Sequence, residues 1–134
     1  MHDHGTESMW AESLNDNLYQ IDNVPFYAYG ISDKDVVLAK DVNGELLFQD
    51  VKQNSGHSTY RIFVNDGIED QSFTQYWKRL EEIGCGKEVG GDGFFAVDVP
   101  TETDIYKAYR LLEKGEVDGI WQFEEGKCGP ELSD

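Results

Sequence analysis

The first half of the chain alternates apolar and polar residues at the short period of extended structure. After a stretch around Met9–Leu14, NLYQIDN (17–23) and PFYAYG (25–30) are brief apolar runs punctuated by Asn, Pro and Gly. The clearest local signal is DVVLAKDVNGELLFQDV, from Asp35 to Val51, where Asn43-Gly44 separates two β-rich runs. Asn-Gly suits a turn whose two central residues both need positive φ, so the pattern predicts a hairpin with strands at 36–42 and 45–51. TYRIFV predicts another strand over 58–64, with Tyr60, Ile62 and Val64 on one face.

The period then lengthens. In SFTQYWKRLEEIG, apolar residues fall at Phe73, Tyr76, Trp77, Leu80 and Ile83, the stripe of a helix over 72–83 that places Trp77 in a core. Asp70 or Ser72 would cap its start, and Gly84 stands where a left-handed residue closes a helix. FFAVDV predicts a strand over 94–99, closed by Pro100. TETD (101–104) has the form of a capping box for a helix over 102–114, with Ile105, Ala108, Tyr109 and Leu112 on one face and Gly115 at its end. IWQF (120–123) predicts a last strand. The expected class is α+β. From residue 58 the order is that of a ferredoxin-like split β-α-β arrangement, preceded by a β-rich hairpin half in one compact domain, 1–134. Residues 1–8 and 126–134 are expected as tails.

The stretch GCGKEVGGDG (84–93) holds five glycines, a lysine and a cysteine. A phosphate cradle runs from a strand into a helix, whose N-terminal N–H groups meet the anion. This stretch runs from a helix into a strand, so the nearest helix end is the carbonyl end. Lys87 is also not followed by Ser or Thr. The expectation is a helix C-cap followed by a Gly-Gly-Asp-Gly hairpin turn. Cys85, beside Glu81 and Glu82 at the same helix end, is expected to be unreactive. Cys85 and Cys128 stand far apart in no C-x-x-C pattern and are expected as thiols in a reducing cytosol.

Charge narrows the function classes. The 134 residues carry 27 acids and 11 bases, a formal net charge of −16, with 13% aromatics. The imbalance is spread along the chain, at 10 acids against 3 bases over 1–60 and 17 against 8 over 61–134. Nucleic acid and anionic membrane need clustered Lys and Arg, so neither is an expected partner. No apolar run reaches the length of a spanning helix, and MHDHGTESMW lacks the pattern of a signal peptide, so the expected location is cytoplasmic. The acidity is read either as a solubility device or as a surface that meets a basic protein.

Few residues suggest chemistry. His57, in SGHSTY, has Ser and Thr neighbours, but adjacent residues seldom meet in catalytic geometry, and a turn histidine bonding its own loop is expected. His2 and His4 with Asp3 would bind a metal only fortuitously. No calcium-loop pattern occurs, and no motif calls for a cofactor or metal.

PFYAYG with DVV (35–37), SGHSTYR (55–61), AVDVP (96–100), and LLEKGE (111–116) leading into IWQFEEG (120–126) with Cys128-Gly129 carry a resemblance. On these segments the chain resembles a bacterial family known as a domain of unknown function (number 4265), over roughly 9–129. The resemblance implies one compact domain and transfers no activity to any position. Small acidic bacterial proteins of this kind are similar to toxin-neutralising immunity proteins. The leading expectation is therefore a non-enzymatic protein that neutralises a basic partner, such as a toxin that attacks nucleic acid. Its expected docking carboxylates are Asp66, Glu69 and Asp70 in one set and Glu116, Asp118, Glu124 and Glu125 in another. A small-molecule-binding regulatory domain and an enzyme using His57 are the alternatives.

Overall fold

Strand pairing follows the alternation read from the sequence. In the computed structural model, which describes residues 7–129, the elements run β1 (Ala11–Ser13), β2 (Leu18–Ile21), β3 (Val36–Val42), β4 (Glu45–Gln53), β5 (Ser58–Val64), α1 (Asp70–Glu82), β6 (Gly86–Gly91), β7 (Phe94–Val99), α2 (Ile105–Val117) and β8 (Trp121–Lys127). They make a small mixed α/β domain of two antiparallel four-stranded sheets, ordered β1-β2-β3-β4 and β6-β7-β5-β8. Asn43 and Gly44, at φ +56° and +84°, form the turn between β3 and β4.

Both helices pack on one face of the second sheet. Tyr60 and Ile62 on β5 and Val97 and Val99 on β7 meet Trp77 and Leu80 of α1 and Ile105, Ala108 and Leu112 of α2 in a single core. Trp121 fills its centre, fully buried, with its indole N–H donating to the Leu112 carbonyl at 2.9 Å. The opposite face of this sheet carries Thr59, Arg61, Ala96 and Asp98, and the irregular connection between β2 and β3 crosses it. Ser32 Oγ and Thr59 Oγ1 lie 2.6 Å apart, and the Arg61 Nη2 donates to the carbonyls of Pro25 and Ala28. The first sheet has only a small core of its own, Ile21, Ile31 and Val37.

Several expected details differ. PFYAYG forms no strand: the backbone N–H groups of Phe26, Tyr27 and Ala28 all donate to the Glu7 carboxylate instead of a ladder. Glu7 is thus fixed rather than part of a tail, and at the other end β8 continues to Lys127 rather than stopping at 123. The glycine stretch carries a strand as well as a turn, since β6 pairs with β7 across Asp92-Gly93. The N-cap of α1 is Glu69, with no side-chain cap bond, not Asp70 or Ser72. Helix α2 begins later than the capping-box pattern implied, because Asp104 is its N-cap and accepts from the N–H groups of Tyr106 and Lys107. It also runs through Gly115. A Cβ there would collide with the Trp121 ring, so this glycine serves close packing and not termination.

Trp77 is 6% exposed and Lys87 Nζ stands 5.4 Å over its ring. Trp77→Ala is therefore expected to lower the unfolding free energy by about 3–5 kcal/mol through lost burial and the cavity left behind. Chemical denaturation measures it, and a loss below about 1 kcal/mol would contradict this packing.

Candidate functional site

Polar side chains collect where the β2–β3 connection meets the ends of β5, β7 and β8. Asp35, 0% exposed, is held by three donors: the Ser32 N–H at 2.8 Å, the Ser55 N–H at 2.7 Å and Lys127 Nζ at 2.7 Å. A buried carboxylate tolerates that environment only when paired and hydrogen-bonded in this way. Ser55 Oγ donates to the Asp33 carbonyl at 2.7 Å and accepts from the His57 N–H at 3.1 Å. The loop around His57 is thereby fixed before its imidazole makes any contact.

That imidazole does not bond its own loop, as the sequence led one to expect. Its Nδ1 lies 2.8 Å from Asp98 Oδ1, on a strand 41 residues away. Asp98 reaches it because Asp98 pairs across the β5–β7 ladder with Thr59, two residues beyond His57 and on the same face of the strand. Asp33 completes the group. Ligand atoms of Asp33, His57 and Asp98 all lie within 4.8 Å of one another. Burial pushes the Asp33 and Asp98 carboxyls above the usual carboxylate range, against the lowering pull of Lys34 on Asp33 and of His57 on both.

The carboxylates expected to dock a partner do not form one face. Asp66 and Asp70 line an open depression of about 340 Å³ together with Asp92, which the sequence reading missed. Glu69 caps α1 beside them. Asn65 Nδ2 donates to the Gly119 carbonyl, bringing this turn next to the end of α2, where Asp118 accepts from the Tyr76 hydroxyl at 2.6 Å and pairs with Lys114. Glu116 is exposed on the last turn of α2. Glu124 is drawn inward, 3.6 Å from Arg61 Nη1 and accepting from the Tyr29 hydroxyl. Glu125, next along β8, points to the other face, opposite Tyr60.

Cys85 is buried and its thiol is pushed up to about 12, by burial first and Asp98 second, which fits an unreactive thiol. Lys87 sits over the Trp77 and Phe95 rings. His2 and His4, with Asp3, lie outside the described residues. No helix among the described residues is long and apolar enough to cross a membrane.

A second surface has no counterpart in the sequence reading. On the first sheet, Trp10, Tyr19, Val37, Ala39, Leu46 and Phe48 line an open trough of about 320 Å³. Its floor is buried, while Trp10 is 80%, Leu46 48% and Phe48 50% exposed. The signal was available: Leu46 and Phe48 alternate on a strand whose partner β3 carries Ala39 opposite Phe48.

A family model described as "Domain of unknown function (DUF4265)" matches residues 7–123. A solved structure titled "Novel crystal structure of a hypothetical protein from Neisseria gonorrhoeae" is similar at 20% identity, with a TM-score of 0.79, covering 90% of this chain and 82% of that one. At this identity the likeness concerns the fold alone. No curated protein matches the chain.

The raised carboxyls have a consequence for stability. The folded chain holds these protons more tightly than the unfolded chain, so the two groups favour folding below the ordinary value of 3.8 and lose that contribution as pH rises through their folded values. Asp33→Asn, with a chelator present, is expected to raise the unfolding free energy at pH 7 by up to about 1 kcal/mol, solvent screening limiting the gain. At about pH 3 the gain should vanish. Denaturant titrations at the two pH values measure it, and a loss of stability at pH 7 would contradict a net cost of burying this charge.

Proposed function

The chain belongs to the DUF4265 family, and from the surface it exposes we propose that it is a cytoplasmic protein-binding domain that docks and neutralises a basic protein partner. The observation that carries this reading is the uncovered apolar trough of the first sheet in a chain of net charge −16. Exposed aromatic side chains over a buried apolar floor are the material of a docking site. The overall charge repels a second copy of the chain and attracts a basic one. A protein that attacks nucleic acid fits best, since it must itself present basic groups to phosphate. Covering those groups is the action of an immunity protein, and it requires no reaction.

Asp66, Asp70 and Asp92 gather acidic charge around one open depression, with Glu69 at the start of α1 beside them, and this cluster is the one for steering. Glu124 and Glu125 contribute less, Glu124 because Arg61 and Tyr29 already engage it. For the second sheet with its two helices we infer the split β-α-β plan of ferredoxin-like folds. The strand order β6-β7-β5-β8, antiparallel between all neighbours, supports it.

An acid–base enzyme at His57 is a second reading, favoured by the Asp98 carboxylate 2.8 Å from its ring. Against it, both serine hydroxyls near His57 in sequence bond backbone groups: Ser58 Oγ accepts from the Gly129 N–H, and Ser55 Oγ donates to the Asp33 carbonyl and accepts from the His57 N–H.

The test begins with the partner recovered on the tagged full-length chain from its host and identified by mass spectrometry. It should be basic, and its association rate should fall steeply with salt. Trp10→Ser with Phe48→Ser should speed dissociation at least about tenfold. Asp66→Asn with Asp70→Asn should instead slow association and flatten its salt dependence. A recovered partner without basic character, or a complex indifferent to the trough substitutions, would overturn the reading.

A further inference from the structure

The charges around His57 do not balance within the described residues. Lys34 Nζ is taken by Asp22 at 2.6 Å, and Lys127 Nζ by Asp35 at 2.7 Å. Asp33 and Asp98 face the imidazole and each other, with Lys34 acting on Asp33 from its pair with Asp22 and Glu88 adding negative charge near Asp98. Asp33 Oδ1 is buried and has no hydrogen-bond partner among the described residues. A buried, unpartnered carboxylate oxygen beside a second carboxylate is costly unless a cation joins it.

We propose that Asp33, His57 and Asp98 form a binding site for a divalent first-row transition ion, with Zn²⁺ as the best-fitting occupant. The donor set decides the class of ion. One imidazole nitrogen with two carboxylate oxygens is the mixed set Zn²⁺ accepts, whereas the hard ions Ca²⁺ and Mg²⁺ take oxygen ligands and gain little from an imidazole nitrogen. Spacing agrees. Ligands at about 2.0–2.1 Å from a tetrahedral ion stand about 3.3 Å apart, and the three ligand atoms lie within 4.8 Å, so the Asp33 carboxylate would draw in by up to about 1.5 Å. His57 Nδ1 and Asp98 Oδ1 stand 2.8 Å apart in a hydrogen bond, so on binding they would give up the shared proton and widen by about 0.5 Å. Ser55 fixes the backbone of His57 from behind. Of the three, His57 also lines an open depression with Gln20, Lys34 and Ser55. Binding would tie the β2–β3 connection to β5 and β7, joining the two sheets.

Equilibrium dialysis against Zn²⁺, followed by metal analysis, tests this in full-length chain carrying His2→Ala and His4→Ala, so that the N-terminal histidines contribute nothing. About one equivalent should be retained at pH 7.5 and released as pH falls, because the ligands must be deprotonated. The melting temperature should rise with free Zn²⁺ and not with Mg²⁺. His57→Ala and, separately, Asp33→Asn should each weaken binding at least about 100-fold. Asp33→Asn leaves the His57–Asp98 pair in place, so it reports on the ion even if His57→Ala is poorly folded. Its effect on melting temperature should change sign, stabilising in chelator and destabilising relative to the parent in Zn²⁺. No retained Zn²⁺, or retention unchanged in Asp33→Asn, would overturn the proposal.

Discussion

The buried guanidinium of Arg61 is the constraint on which the arrangement of this chain depends. It is 1% exposed, on the face of β5 turned away from both helices. Its Nη2 donates to the carbonyls of Pro25 and Ala28, Glu124 stands 3.6 Å from Nη1, and the Tyr29 ring lies 5.1 Å from its centre. An irregular segment laid across a sheet brings carbonyl groups that no ladder can satisfy, and a single guanidinium nitrogen, Nη2, at the end of a long stem meets two of them at once. Gly126 leaves the space: a Cβ there would press on the guanidinium. From the other side, the Glu7 carboxylate takes three consecutive N–H groups of the same segment. One cation and one anion thus hold the backbone of 25–28 from its two polar sides.

This clamp explains how a domain with one helical layer closes. The helices cover one face of the second sheet, and the clamped connection covers the other, with Phe26 and Tyr27 packed against Phe94. The two sheets do not share an apolar core, since Ile21, Ile31 and Val37 form a cluster apart from the one around Trp121. They are joined through polar contacts, those of Arg61, Asp35, Ser32 and the group around His57. A polar joint fixes geometry more than it buries area, so the first sheet keeps an apolar face uncovered, with Leu46 and Phe48 on an edge strand in reach of a partner. The proposed docking face is a consequence of how the two sheets are joined.

The sequence made periodic features legible and long-range polar ones illegible. The Asn43-Gly44 hairpin, the stripe from Phe73 to Ile83 and the burial of Trp77 follow from local rules that act within a few residues. Gly115 misled because termination and close packing both select glycine, and only Trp121, from the next strand, distinguishes them. PFYAYG looked extended, but its N–H groups found a carboxylate before they found a neighbouring strand. Nothing local singled out Asp33, Asp35 or Arg61, since a charged residue carries no mark of its distant partner. The His57–Asp98 pair spans 41 residues and depends on the β5–β7 register. One cue was present: Arg61 shares a sheet face with Phe63, which pointed to a second covered face.

Amide hydrogen exchange on the intact chain, followed residue by residue across increasing denaturant below the unfolding transition, tests the joint most directly. If the polar joint makes the two sheets one cooperative unit, the slowest amides of β3 and of β5 should exchange through the same opening, with equal free energy and equal denaturant dependence. If β3 opens at a lower free energy and with a smaller denaturant dependence than β5, the sheets are separate units, and the clamp at Arg61 does not hold them together.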